Sequence, residues 1–522
     1  MKRFNVTGLC IPEEHYMCDV TAKFERCKYL VEEGFYYAIN FPRQYGKTTM
    51  KYLVTSHFDK DDDYIAISSS FEGIGDLPFQ SEEKLAPMVL DVFASSLKFT
   101  HPEISSYLSR SSKKITNFKK LSEFIEKWVF ETNKKIIIFI DEIDKASNNQ
   151  VFISFIAMLR DKYLLAKEKK TRTFYSVVLL GVHDVKSLKL KLRLNEEAKL
   201  NSPWNISEDL NIEFSFSKKE IEPMLADYGE EHCLTMPVSQ LSEKLFYYTS
   251  GNPFLVSQMC KVIDETIMAG QKHSWTTYDV EAAYKYLINL GYTTTNFDDM
   301  YKNLENNEDL RNVIYRIVIN GDIFPFDIGD PVIAKGKTYG LLSQNSTGKC
   351  DISNKIYEFR ILNYFISKHK TMEIRAGSYS SEKFKENNEL NILLILEKFQ
   401  LFMKEYHSSK DNSFLEKNGR LLLMSFFRPI INGKGYMFKE NVTAEDRKMD
   451  LVVTYNDKRY VIELKIWYGE KYLSDGIEQL CTYLDSYSLD RGYMLIFNFN
   501  KNKKYETIKV EDCRKDISAV FV

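Results

Sequence analysis

The sequence predicts an α/β multidomain chain, with a parallel-sheet domain first, a helical middle region and a second α/β domain at the end. Three observations carry this expectation. Apolar runs of the buried-strand type, IIIFI at 136–140 and YSVVLLGV after it, alternate with helical stretches such as VFISFIAMLRDKYLLAK, the pattern of a parallel sheet flanked by helices. Residues 217–304 read as helices alone. Near the end, KMDLVVTYNDKRYVIELKIW reads as a β-hairpin turning at Asn456-Asp457-Lys458. At 522 residues the chain is too long for one hydrophobic core. The expected divisions are 1–216, 217–304, 305–371, a polar linker at 372–388 (MEIRAGSYSSEKFKENN), and 389–522.

Within the first division, GFYYAINFPRQYGKTTMKYLV has the form strand, loop, helix, with Gly46-Lys47-Thr48-Thr49 at the junction. Amides at a helix N-terminus cradle phosphate oxygens, a lysine reaches the terminal phosphates, and the first hydroxyl residue binds Mg²⁺. The segment therefore reads as a phosphate-binding P-loop for ATP. Arg43, Gln44, Tyr45, Gly46, Lys47, Thr48 and Thr49 are its expected nucleotide contacts, and Thr48 is a magnesium ligand. The pattern Gly-x-x-x-x-Gly-Lys-Ser/Thr is incomplete, because Phe41 stands at the first glycine position. The run IIIFI ends in Asp141-Glu142. A carboxylate at the tip of a buried strand holds the water shell of Mg²⁺, and the next one polarises the attacking water. Asp141 is thus a second magnesium ligand and Glu142 the catalytic base. A shorter strand, NIEFSF, is expected at 211–216.

The stretch SGNPFLVSQMCKVID at 250–264, a Gly-x-Pro heading an amphipathic helix, resembles the motif after the nucleotide domain of STAND and archaeal-type ATPases, relatives of AAA+ proteins. The opening GLCIPEEHYMCD, with PRQYGKTT, resembles bacterial members of an AAA-like family. The resemblance implies that the segment before the P-loop lies by the nucleotide, making His15 and Tyr16 base contacts. It leaves Arg160, Arg172 and Arg193 open as an arginine finger. For 305–371 it implies a winged-helix module, and the modest basicity of NKIYEFRIL favours docking over DNA binding there.

In the last division twelve residues separate Asp450 from Glu463-Leu464-Lys465. Strand alternation puts Val461, Glu463 and Lys465 on one face, and Asp450 on the neighbouring strand can point into the same volume. Two adjacent carboxylates repel unless a divalent cation lies between them, and oxygen ligands suit Mg²⁺ or Mn²⁺. A lysine beside them can orient a water or offset charge on a phosphate. The segment resembles the PD-(D/E)XK nuclease superfamily, whose restriction-endonuclease-like fold it implies for 389–522. The helix LSDGIEQLCTYLDSY follows, with Gln479 and Tyr483 on one face bordering the site, then the strand GYMLIFNF. The resemblance also implies a further acidic ligand, Glu416 or Glu440. The chain departs from the usual Gly-Arg-x-Asp, reading Asp446-Arg447-Lys448-Met449-Asp450.

Bulk composition is that of an ordinary globular protein, 44% hydrophobic and 28% charged with net charge −2. Such a balance gives no global attraction to nucleic acid, so a basic surface would have to be local, at 98–120 or in the tail from Lys501. Eight cysteines without a CxxC pair suggest neither a zinc site nor a disulfide framework. A cytoplasmic location with no membrane span is expected. The sequence thus predicts an ATP-binding, nucleotide-regulated, metal-dependent nuclease acting on nucleic acid, DNA rather than RNA by resemblance. Its catalytic residues are Glu142, Asp450, Glu463, Lys465 and Gln479. The competing expectation is a STAND-like switch whose nuclease-type domain only binds; the oligomeric state stays open.

Overall fold

The computed structural model describes residues 1–71, 73–143, 149–182, 204, 206, 208, 210–268, 273–289, 291–320, 322–368, 384–386, 389–406, 412–431, 435–438, 451–456, 458–500, 503–512 and 514–522. They form two compact units. The first holds Met1–Leu287, Thr294–Asn296 and Lys335–Leu341; the second holds Ile288–Thr293, Phe297–Ala334 and Leu342–Val522.

The first unit opens with α1 (Thr21–Glu32), β1 (Tyr36–Asn40), α2 (Lys47–Phe58) and β2 (Tyr64–Ser70). Three helices follow, α3 (Glu82–Ser96), α4 (Pro102–Ser112) and α5 (Phe118–Thr132), before β3 (Lys135–Asp141), α6 (Gln150–Lys167) and β4 (Ser176–Gly181). The strands are all parallel, in the order β1-β4-β3-β2. Burial on both faces explains the uninterrupted apolar runs. Ile136, Ile138 and Ile140 enter one core with α3, α5 and α6, whereas Ile137 and Phe139 enter another with α1 and α2. At the β1 edge, Glu208 bridges Tyr37, its amide donating to the Tyr36 carbonyl at 3.0 Å. The strand expected at 211–216 does not form. That segment has no ladder partner among the described residues, and it is anchored instead by the side chains of Leu210 and Phe214 in the α1/α2 core.

The helical part continues with α7 (Lys218–Glu231), α8 (Val238–Thr249), α9 (Pro253–Val262) and α10 (Thr277–Ile288). The Gly-x-Pro motif marks the turn from α8 into α9. Ser250 ends α8 at φ +48°, Gly251 follows at φ +72°, and Asn252 caps α9 by accepting the Leu255 amide at 3.0 Å, with Pro253 in the first turn. Glycine is required at 251 by space as well as by φ. A Cβ there would lie 1.8 Å from the Phe216 carbonyl oxygen, while the Phe216 amide donates to the Gly251 carbonyl at 2.7 Å.

In the second unit come α11 (Thr295–Asn306), whose first two residues belong to the first unit, α12 (Glu308–Tyr315), α13 (Pro331–Thr338), whose residues from Lys335 on belong to the first unit, a hairpin of β5 (Leu342–Gln344) and β6 (Cys350–Ile352), and α14 (Lys355–Lys368). Of the expected linker, residues 384–386 are described; β7 (Lys385–Glu386) pairs with β8 (Glu389–Leu390). Then follow α15 (Ile392–Tyr406), α16 (Asn412–Ile431), β9 (Gly435–Phe438), β10 (Leu451–Tyr455), β11 (Lys458–Ile466), α17 (Glu470–Ser486), β12 (Arg491–Phe497), β13 (Thr507–Asp512) and β14 (Lys515–Phe521). These last strands make one mixed sheet, β13-β14-β12-β11-β10-β9. The expected hairpin is β10–β11, and Asn456 takes the left-handed φ of +47° that such a turn demands. A helical crossover, α17, then lets β12 run parallel to β11.

Gly251→Ala should lower the unfolding free energy by well over about 1 kcal/mol, since a positive φ and a backbone clash act together. Urea unfolding of the two proteins measures it.

Candidate functional site

Strand β1 delivers the chain to a loop, Phe41–Gly46, at the carboxyl edge of the sheet, where ligands of open parallel sheets bind. Gly46 caps α2 at φ +81° and Gln44 also has positive φ, +62°. The first bond within α2 runs from Met50 N–H to the Gly46 carbonyl at 2.9 Å, so the preceding amides of the helix have no intrahelical partner. Lys47 Nζ folds back over the loop and donates to the carbonyls of Phe41 at 2.7 Å and Pro42 at 2.8 Å. Thr48 is exposed at the loop, whereas Thr49 is buried with Oγ1 accepting the Cys10 amide at 3.1 Å. Arg43 is exposed, and Gln44 Nε2 donates to Thr295 Oγ1 at 3.1 Å.

Asp141 does stand at the tip of β3, 8% exposed. Its Oδ1 accepts the amide of Glu142, which has φ +55°, and its Oδ2 meets Lys51 Nζ at 2.6 Å. A magnesium ion at Asp141 would have to share the carboxylate with that ammonium, which repels it, so the arrangement as it stands does not fit the ion that the sequence led one to expect at Thr48 and Asp141. Lys51 was missed in the sequence, although its spacing of four from Lys47 in a helix was visible.

Beside the loop an open pocket extends under the N-terminal segment. Gly46, Thr49 and Tyr45 form its loop side; Met50 and Leu53 of α2, with Phe254 of α9, form apolar wall. Tyr16 lines it, but its hydroxyl donates to Glu231 Oε2 at 2.7 Å, and burial followed by that carboxylate holds the phenol far above its ordinary range. His15 does not line it. Its Nδ1 accepts the Ile11 amide at 2.9 Å, which makes it a brace of the N-terminal turn. Burial pushes the Tyr45 phenol up to about 12, against the lowering effect of hydrogen bonding to Asn252 and Ser215. Of the arginines, Arg172 stacks on Phe130 at 4.3 Å and Arg160 lies 3.9 Å from Asp161; Arg193 is outside the described residues. The basic stretch 98–120 lies mainly along α4 and the turn into α5.

Lys23 of α1, 5% exposed, also lines the pocket and pairs with Glu220 of α7, the glutamate of a capping box with Ser217. Its ammonium lies 5.2 Å from the Phe216 ring centroid.

In the second unit the expected face forms as a chain of contacts. Glu463 is 1% exposed, and Lys465 Nζ lies 2.9 Å from its Oε1. The same ammonium donates to Gln479 Oε1 at 2.9 Å, and Gln479 Nε2 donates to the Tyr483 hydroxyl at 2.5 Å. A residue that sequence reading missed makes room for it. A Cβ on Gly476 would lie 3.0 Å from Lys465 Cε and 3.0 Å from Met494 Cε. Cys481, on the same helix, is disulfide-bonded, which cysteine spacing did not announce. Asp450, Glu440 and the side chain of Glu416 lie outside the described residues. Among the described residues no three His, Cys, Asp or Glu side chains gather as metal ligands, and no helix is long and apolar enough to cross a membrane.

Against known proteins, the model of the AAA-like domain matches residues 13–361, about two thirds of the chain. The chain belongs to the AAA-like domain family. The first unit accordingly has an AAA-like P-loop ATPase fold. An uncharacterized WD repeat-containing protein of Synechocystis is 25% identical over 169 residues, 31% of this chain and 13% of that one. The AAA-like chain thus spans about an eighth of that relative's length. A Walker-type ATPase of Pyrococcus abyssi aligns over 69% of this chain and 99% of its own at 11% identity and TM-score 0.44. The ORC2 protein of Aeropyrum pernix aligns over 67% and 97% at 11% identity and TM-score 0.39. The family assignment rests on the domain match, without these two.

Burial raises the Glu220 carboxyl, but hydrogen bonds from Lys23 and Ser217 outweigh it and hold the group below its ordinary 4.5. Its stabilising effect is therefore complete above that value and drains away as pH falls below it. Wild type should exceed Glu220→Gln by about 2 kcal/mol near neutrality, with the gap closing as pH falls below that ordinary value. Unfolding free energies across that range test the sign.

Proposed function

We propose that this chain is an ATP-binding switch that governs metal-dependent cutting of nucleic acid, DNA rather than RNA, by its second unit. The ATP reading is supported by one arrangement: Gly46 and Thr49 at the helix start line the apolar pocket, so phosphates at the loop leave a base and ribose lying toward Met50, Leu53 and Phe254. In this reading Lys47 leaves the carbonyls of Phe41 and Pro42 for the terminal phosphates, and Glu142 orients the attacking water.

The cutting reading is supported by the buried Glu463, its 2.9 Å pairing with Lys465, and the Gln479–Tyr483 contacts behind that amine. A lysine fixed by two partners, in a slot that Gly476 keeps clear, is held for a phosphate more tightly than a surface lysine would be. Asp450, adjacent in sequence to Leu451, is proposed as the second carboxylate. With Glu463 it would hold a Mg²⁺ or Mn²⁺ ion supplying Lewis acidity at the scissile phosphate. The element order in 305–368, helices followed by a short hairpin and a closing helix, supports a winged-helix module that docks other parts.

A second reading has its own observation. The ion pair at Asp141 and the phosphate loop without its first glycine favour a switch that binds ATP and hydrolyses it slowly or not at all.

The purified chain, given plasmid DNA, linear DNA and RNA with Mg²⁺ or Mn²⁺, should cut DNA, and Lys465→Ala should lose about a hundredfold or more in rate. Equal behaviour of the two proteins on every substrate would defeat the nuclease reading. Lys47→Ala should bind ATP at least about tenfold more weakly, and the response of cleavage to ATP should vanish with it. Cleavage by Lys47→Ala that still responds to ATP would break the proposed link between the units.

A further inference from the structure

Helix α2 carries a second lysine one turn beyond the first. Spacing of four puts Lys51 on the same side as Lys47, and there it meets Asp141 Oδ2 at 2.6 Å with the two side chains only 14% and 11% exposed. The remaining oxygen, Oδ1, accepts the Glu142 amide at 2.9 Å. Glu142 itself has a left-handed backbone, φ +55°, a conformation costly enough at a non-glycine residue that surrounding structure must hold it. Both carboxylate oxygens are thus committed to groups of this chain.

A carboxylate at this strand tip poses an electrostatic problem for any triphosphate bound at the loop, because like charges face each other across a poorly solvated gap. A dication between the two is one remedy. An ammonium already seated on the carboxylate is another, and the two oppose each other, since two cations sharing one carboxylate repel at that range. We infer that Lys51 is a resident cation that takes the place of the divalent ion at Asp141, so that the loop binds the triphosphate of ATP without requiring Mg²⁺. The inference rests on the ATP reading of residues 41–49. Lys47 then serves the phosphates while Lys51 neutralises Asp141, so that the carboxylate no longer repels the triphosphate.

The test is equilibrium binding of a ribose-labelled fluorescent ATP analogue to the full chain, in excess Mg²⁺ and in excess EDTA. Wild type should show less than about a fivefold difference in Kd between the two conditions. Lys51→Met should bind more weakly in EDTA than in Mg²⁺ by about fivefold or more, and Lys51→Arg should restore the wild-type pattern. A wild-type difference above that threshold, or a folded Lys51→Met that responds to Mg²⁺ no more than wild type, overturns the inference. Circular dichroism establishes folding; where Lys51→Met does not fold, the wild-type ratio decides alone. The ATP reading fails separately: if Lys47→Ala binds the analogue as well as wild type, or wild type binds it in neither condition, that reading falls and takes this inference with it. Binding that needs both Lys47 and Mg²⁺ overturns the role of Lys51 alone.

Discussion

A parallel sheet with apolar side chains on both faces has only its strand ends to offer for chemistry. In the first unit β3 alternates its side chains between two cores, and β1 does the same through Tyr36, Tyr37 and Ile39. No polar group can sit along these strands without losing water, so the functional groups collect at the carboxyl tips, at the loop after β1 and at Asp141 after β3. The inserted helices α3 to α5 contribute to the same constraint by covering one face, since Leu85, Val89, Leu121 and Ile125 pack in the core with Ile136 and Ile138.

Three of the charges that the fold buries are met by opposite charges a short distance away, whereas buried Lys162 and Arg360 donate to backbone carbonyls. Asp141 has Lys51, Lys23 has Glu220, and Glu463 has Lys465. Ion pairs of this kind contribute little net stability when compared with apolar packing, but they are costly to break by removing one member. Two of the three sit at candidate sites, and the third lines the pocket beside the phosphate loop. Their placement fixes where a ligand's charge can enter.

Motif residues divide into those that meet ligands and those that shape the chain. Gly251, Asn252 and Pro253 carry a family resemblance, yet their observed work is structural: a close backbone crossing, a helix cap and a first-turn proline. His15 is similar, a brace on Ile11. Gly476, absent from any motif, keeps a channel for the Lys465 stem.

Much of the fold was legible in the sequence because it depends on local patterning. Continuous apolar runs specify strands buried on both faces, alternation around Asn456 specifies the β10–β11 hairpin, and period two specifies that Glu463 and Lys465 share a face. The glycine and lysine of the phosphate loop, and the carboxylate ending β3, were readable for the same reason. What the sequence could not decide is which distant groups meet. The segment 211–216 has strand-like residues but no ladder, because strand formation needs a partner edge as well as propensity. Lys51 lies ninety positions from Asp141, and nothing in either neighbourhood announces that helix α2 lays an ammonium on that carboxylate. Local periodicity is written residue by residue, whereas burial of a charge and its choice of partner are settled only when separate elements pack together and exclude water.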